Sequence, residues 1–173
     1  MIKEMVETMT PSKQLHQTIK DLGIDFVVSV PCKLLGDLME HVAGDDSITY
    51  TPVTREEEGV GILAGAYFSG KKPAILMQNS GLGNSINAIM SLLHYYKVPV
   101  MFFMSHRGSE GEPVEAQTMM GNAVHGLLEA SSIPFVQVAS PADLEQVKET
   151  AQKGYAEEQS AAFLFPFSYW EGK

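Results

Sequence analysis

Ala74-Ile75-Leu76-Met77-Gln78 is a short, almost wholly apolar run, and Asn79-Ser80-Gly81-Leu82-Gly83-Asn84 follows it without a break. A run that short, with no polar face, reads as a strand buried on both sides. The Asn, Ser and Gly behind it are turn residues. Ile86, Ile89, Met90 and Leu93 then recur at helical spacing, and Val98 to Met104 is a second, still more apolar run. Strand, loop, helix and strand in that order, with neither strand showing a polar side, predict a parallel sheet covered by helices on both faces.

The same alternation extends outward in both directions. Upstream, Ile48 to Thr51 is a short strand, and Arg55 to Ser69 is a helical segment dominated by Gly59, Gly61, Ala64, Gly65 and Ala66. Glycine costs a helix interior about 1 kcal/mol relative to alanine, so this composition predicts close packing, within the chain or between chains. Before it come a strand, Asp25 to Val30, a turn at Pro31 and a helix carrying Leu34, Leu35, Leu38, Met39 and Val42, closed by Gly44-Asp45-Asp46. Thr10-Pro11-Ser12 opens a first helix through Leu15, Ile19 and Leu22, ended by Gly23. Downstream, a polar loop from Ser105 to about Gln117 leads to helices at Met119 to Ala130 and Ala142 to Glu157, which alternate with strands at Phe135 to Val138 and Ala162 to Phe165. The fold expected is α/β: a doubly wound, mainly parallel six-stranded sheet in one domain spanning 1–173, with its core at about 11–166.

Composition narrows the function. With 173 residues and 45% hydrophobic content the chain has enough for one α/β core. A net charge of −9 and a single adjacent lysine pair, Lys71-Lys72, leave no basic stripe for a nucleic acid. One cysteine, Cys32, excludes an internal disulfide and a four-thiolate zinc site. Residues 1–14 are polar and of mixed charge, unlike a signal peptide, and no window approaches the roughly 20 apolar residues of a membrane span. A soluble cytoplasmic protein is expected.

In open parallel sheets ligands sit outside the carboxyl ends of the strands. After the second strand, Thr54-Arg55-Glu56-Glu57-Glu58-Gly59 places three acids at a helix start, where the macrodipole stabilises negative charge by about 0.3 to 1 kcal/mol. Dipole complementarity alone accounts for such a run; the sharper reading turns one carboxyl inward to bind a ligand nitrogen. In Asn79 to Asn84, backbone amides and the side chains of Asn79 and Ser80 are placed to line a ring pocket, and Gly83 and Asn84, read as the helix start, to hold an anion. His106-Arg107 ends the apolar strand; a guanidinium fork suits bidentate binding of an acid group, which makes Arg107 the substrate-anion candidate and His106 its assistant. Cys32 and Lys33 follow Pro31 at a helix start, where an ammonium meets an anion. His16, His41, His94 and His125 have no metal spacing.

These motifs carry a resemblance. Arg55-x-Glu57-x-Gly59, with Ala64, Tyr67 and the Gly70-Lys71 turn, resembles the pyrimidine-domain segment of thiamine diphosphate decarboxylases and acetohydroxyacid synthases. Asn79-Ser80-Gly81-Leu82-Gly83-Asn84-x-x-Asn87 resembles the following loop of phosphonopyruvate and sulfopyruvate decarboxylases, as do Arg107-Gly108 with Gly111, Glu112-Pro113, Gln117 and Gly121, and Val30-Pro31 with Leu34-Leu35. The likeness runs from about Pro11 to Phe165, and Pro31-Cys32 leans toward the sulfopyruvate branch.

The resemblance implies thiamine diphosphate as cofactor and a carboxylate hydrogen-bonded to N1′ of its aminopyrimidine ring. Register assigns Glu57, two residues before Gly59 and ten before Tyr67, with Asn79, Ser80 and Gly81 beside the cofactor. It further implies Arg107, His106, Lys33 and Asn84 toward the substrate, and decarboxylation of 3-sulfopyruvate to sulfoacetaldehyde, as in coenzyme M biosynthesis or sulfonate breakdown; phosphonopyruvate, a carboligase reaction and a noncatalytic assembly module are the alternatives. The family's Gly-Asp-Gly motif, which binds the diphosphate through magnesium, is absent; Gly44-Asp45-Asp46 lacks the second glycine. A partner beta subunit is therefore implied, one that carries the Mg2+ ligands in a heteromeric and homo-oligomeric assembly.

Overall fold

The computed structural model describes residues 9–170. Residues 1–8 of the polar stretch read at 1–14, and the last three residues, lie outside the described residues. In chain order the elements are α1 (Pro11–Asp21), β1 (Phe26–Ser29), α2 (Gly36–Ala43), β2 (Thr49–Pro52), α3 (Glu56–Phe68), β3 (Pro73–Gln78), α4 (Ser80–Ala88), β4 (Met101–His106), α5 (Thr118–Ala130), β5 (Phe135–Gln137), α6 (Leu144–Ala156), β6 (Ala161–Pro166) and α7 (Phe167–Trp170). The six strands form one sheet in the order β2-β1-β3-β4-β6-β5, and every pairing is parallel.

The apolar runs are continuous because both faces of the sheet are covered. Ala74, Leu76, Met101, Phe103, Ala161 and Phe163 pack into one layer with α1, α2, α6 and α7. Their neighbours Ile75, Met77, Phe102, Met104, Ala162 and Leu164 point the other way, against α3, α4 and α5. Alternation with period 2 thus feeds two cores at once.

Beyond shifts of a residue or two at element ends, three differences from the sequence reading stand out. β4 starts at Met101, not Val98, because Pro99 has no N–H to give a ladder, although Val98 and Val100 are buried. The helix through Ile86 continues from Ile89 to His94 as a wider π turn that buries Ile89 and Leu93. The helix after β3 begins at Ser80, which makes Gly83 and Asn84 its fourth and fifth residues and not its start. Leu82, fully buried, pins that first turn against the sheet, and tertiary burial outweighs the turn propensity of Asn, Ser and Gly.

The glycine-rich helix α3 divides its glycines between two settings. A Cβ on Gly59 would stand 2.8 Å from Val28 and 3.2 Å from Ile75, so this glycine lets the helix lie close on the sheet. Gly61 and Gly65 face outward with nothing within 4 Å of a Cβ.

Candidate active site at the carboxyl edge of the sheet

β1 and β3 are neighbours, but the chain leaves β1 for α2 on one face and leaves β3 for α4 on the other. Their carboxyl ends therefore diverge into a crevice, the place where open α/β sheets bind ligands. α3, crossing from β2 to β3, brings its acidic N-terminus to the same edge.

Successive helix positions are about 100° apart, so the three acids at that start meet different surroundings. Glu58 turns back: its Oε2 accepts from the backbone N–H and hydroxyl of Thr54 at 3.3 and 3.1 Å. Glu57 is half committed. Its Oε1 accepts from Nε and Nη2 of the exposed Arg55, both at 2.6 Å, while Oε2 is buried with no hydrogen-bond partner among the described residues. Glu56 reaches across to the β3–α4 junction. A Cβ on Gly81 would fall 2.5 Å from both Cδ and Oε1 of Glu56, so only glycine leaves room there for that carboxyl.

Asn79 is fully buried, and its side-chain amide is used twice on one neighbour. The Arg107 backbone N–H donates to Oδ1 at 2.9 Å, and Nδ2 donates to the Arg107 carbonyl at 3.1 Å. This reciprocal pair extends the β3–β4 pairing by a side chain, just past Gln78 and Ser105. Asn79 thereby ties the start of α4 to the loop after β4, and its amide does not line a pocket.

Arg107 is held at its other end as well. Nε and Nη2 form a fork on Glu112 at 2.6 and 2.7 Å, and Glu112 also accepts from the backbone N–H of Gly108 at 3.2 Å and of Val114 at 3.0 Å. The side chains are 12% and 3% exposed. The guanidinium beside Glu112 holds its carboxyl down at about 2, and Glu112 in turn raises Arg107 above its ordinary value. Sequence reasoning named Glu112 only as part of a motif; the sign of its charge five residues after Arg107 was the available signal. The loop is drawn tight by a backbone contact: a Cβ on Gly121 would meet the Arg107 carbonyl oxygen at 2.5 Å and Gly108 Cα at 2.7 Å.

The other candidates scatter. His106 is buried, with Nε2 3.2 Å from the Gly121 carbonyl and Nδ1 3.2 Å from Gln137 Oε1; burial pushes it below the usual histidine range, and its ring faces α5 and β5, away from the crevice. Lys33 is exposed in a 3-10 turn after β1, on the opposite lip from α4. Asn84 is exposed on α4, and Ser80 donates to Gln78 Oε1 at 3.4 Å. Cys32 is buried with Sγ 3.2 Å from Ser105 Oγ. Two cavities, of about 520 Å³ between α1 and the start of α6 and about 350 Å³ beside His94 and Ser160, contain none of these side chains. Among the described residues no group of three or more His, Cys, Asp or Glu is arranged to hold a metal, and no helix is long and apolar enough to cross a membrane.

Residues 9–126 match the family of thiamine pyrophosphate enzymes through its N-terminal TPP binding domain. The chain is 47% identical over 160 residues to the sulfopyruvate decarboxylase subunit alpha of Methanothermobacter thermautotrophicus, covering 92% of this chain and 97% of that one. It is 31% identical over 163 residues to the sulfopyruvate decarboxylase of Methanosarcina acetivorans, covering 94% of this chain but 42% of that protein. Among solved structures, the 2-oxoglutarate:ferredoxin oxidoreductase from Magnetococcus marinus superposes with a TM-score of 0.74 at 17% identity over 92% of this chain and 29% of the other, a likeness of fold.

Proposed function

We propose a function from one fact: the chain belongs to the family of sulfopyruvate decarboxylase alpha subunits, which are thiamine pyrophosphate enzymes. In this reading it takes the aminopyrimidine end of thiamine diphosphate at the β1–β3 crevice, and the substrate is 3-sulfopyruvate, released as sulfoacetaldehyde and carbon dioxide. An alpha subunit implies a partner subunit, and a relative that matches this chain over 42% of its own length carries further sequence in the same polypeptide. The diphosphate and Mg2+ fall to that partner.

The residues present fit a pyrimidine ring. A ring nitrogen needs a carboxyl at the crevice, and two stand there. Bound thiamine diphosphate supplies the electron sink for loss of carbon dioxide. The observation that carries the assignment is the Glu56 carboxyl lying against Gly81, in the first turn of α4 that borders the crevice. A carboxyl takes a ring nitrogen most readily when its oxygens are not already engaged by another donor. Glu56 has no ion-pair partner among the described residues, whereas Glu57 Oε1 is held by Arg55. Glu56 is thus the group that would hold or pass a proton at N1′. Glu57, favoured by register, is the second reading, supported by its buried, unpartnered Oε2. Asn79 positions Arg107, and the Nη1 edge of Arg107, turned away from Glu112, is the donor for the substrate's distal acid group.

The test is carbon dioxide release from 3-sulfopyruvate by the chain co-purified with its partner, with thiamine diphosphate and Mg2+, and with phosphonopyruvate run alongside. Turnover lost in Glu56→Gln and retained in Glu57→Gln supports the assignment; the reverse result transfers the role to Glu57. A stable, cofactor-loaded complex that turns over no 2-oxo acid would leave a noncatalytic assembly module as the reading.

A further inference from the structure

We propose that Glu112 makes the Arg107 subsite a charge filter: it cancels the guanidinium's net charge while leaving its free N–H edge as a donor, so that the site accepts a monoanionic head group and discriminates against a dianionic one. This rests on the reading above that Arg107 faces the distal acid of the substrate, and it names the feature that separates a sulfonate from a phosphonate there.

The geometry supplies each step. Glu112 is 3% exposed and takes two donors on each oxygen, Arg107 Nε and Gly108 N–H on Oε2, Arg107 Nη2 and Val114 N–H on Oε1. It is not displaced by an incoming anion without stranding all four donors, which is costly for a buried group. Arg107 keeps its Nη1 hydrogens, for which no described residue is a partner. The ionisable groups acting on Arg107 are Glu112 and, more weakly, Cys32 from the loop after β1; on Glu112 it is Arg107 alone. His106, next in sequence, turns its ring to Gly121 and Gln137. An anion docking on the free edge therefore meets a guanidinium already paired with a carboxylate. A sulfonate carries one charge at any working pH. A phosphonate loses its second proton near neutrality, as a phosphate monoester does near 6, and stripping water from the added charge then costs more than a guanidinium already paired with Glu112 repays.

The experiment uses the intact complex of this chain with its partner, thiamine diphosphate and Mg2+, turning over 3-sulfopyruvate. Two unreactive probes, 3-sulfopropionate and 3-phosphonopropionate, are assayed as competitive inhibitors from pH 5.5 to 8.5. The sulfonate is expected to hold a flat Ki. The phosphonate should weaken by about tenfold or more as it becomes a dianion, and Glu112→Gln should abolish most of that loss. A phosphonate Ki that is flat or improves with pH in the wild-type complex overturns the proposal, and this arm decides alone if Glu112→Gln does not fold. Equal pH-dependent weakening in Glu112→Gln overturns it too, since a merely structural Glu112 would change both probes in parallel. If Arg107→Ala still turns over sulfopyruvate and binds both probes unchanged, the filter is wrong but the decarboxylase stands; if no 2-oxo acid is turned over at all, the functional reading falls with it.

Discussion

Replacing Gly81 by alanine separates the two candidate carboxyls with one methyl group. The added Cβ would stand 2.5 Å from Cδ and Oε1 of Glu56, where ordinary contact begins at 3.4 Å. The carboxyl must therefore retreat by about 1 Å, and a displacement of that size at a reacting group costs about 10²-fold in rate. The fold should tolerate the change, because the obstructing atoms are the free end of a flexible side chain and alanine gains up to about 1 kcal/mol over glycine in a helix. Expected, then, is carbon dioxide release from 3-sulfopyruvate reduced about 10²-fold in the reconstituted complex, with a melting temperature unchanged or higher by about 2 to 4 °C. Gly83→Ala is the control: on the same helix its Cβ meets only the end of Met120 at 3.9 Å, so it should leave turnover intact. Activity in Gly81→Ala within about threefold of wild type would refute the reasoning and remove Glu56 from the site.

Asn79→Ala should cost about 1 to 3 kcal/mol in urea denaturation, since it removes two buried hydrogen bonds and strands the carbonyl of Arg107, whose N–H keeps the Ser105 carbonyl at 3.0 Å. For Glu112, the folded carboxyl sits at about 2 against an ordinary 4.5, so its contribution is complete above about pH 4.5 and is lost as the pH falls toward 2. The stability gap between wild type and Glu112→Gln should accordingly shrink by about 1 to 2 kcal/mol between pH 5 and pH 3; a gap constant with pH would contradict the pairing. Gly121→Ala should destabilise by about 1 to 3 kcal/mol or more, because its Cβ meets backbone that cannot yield, whereas Gly126→Ala on the same helix has open space and should stabilise by up to about 1 kcal/mol; equal melting temperatures would contradict both.

The central strands were legible because they are buried on both faces, which leaves a run such as Ile75-Leu76-Met77 without a polar break; β4 shows the limit of that signal, since Val98 and Val100 are as buried as Met101 but the strand starts only after Pro99, which has no N–H to give. The site was legible to the level of its loops. Which of Glu56, Glu57 and Glu58 faces inward depends on where the helix starts, and moving that start by one residue rotates every side chain by about 100°. The start of α4 was hidden for a related reason: Asn79-Ser80-Gly81 has turn chemistry, and only the burial of Leu82 by distant residues makes it helical. For the engagement of Arg107 the charge of Glu112 was the one signal, and its geometry was hidden because it depends on a loop that doubles back through Gly108 and Gly111 at φ +79 and +86.

The fold offers two crevices of the same kind, and the state of their carboxylates distinguishes them. β4 and β6 are also neighbours whose chains depart to opposite faces, one to α5 and the other to α7. That second crevice is closed: the Ser109 hydroxyl accepts the N–H of Phe167 at 3.0 Å, Gly111 packs beside the Phe167 ring, Gly108 and Gly121 meet backbone to backbone, and all four donors on Glu112 are matched. At the β1–β3 crevice the pattern reverses, with Glu57 Oε2 buried and unpartnered and the Glu56 carboxyl resting on a glycine. A buried carboxylate oxygen without a donor costs about 1 to 3 kcal/mol, so the open Oε2 of Glu57 marks the β1–β3 crevice as one that takes a ligand with hydrogen to share, whereas the unpartnered buried group on α7 beside the other is a neutral hydroxyl, that of Tyr169. The closed crevice then has a task of its own: it fixes the loop from which Arg107 extends, and Asn79 passes that fixed position to the start of α4.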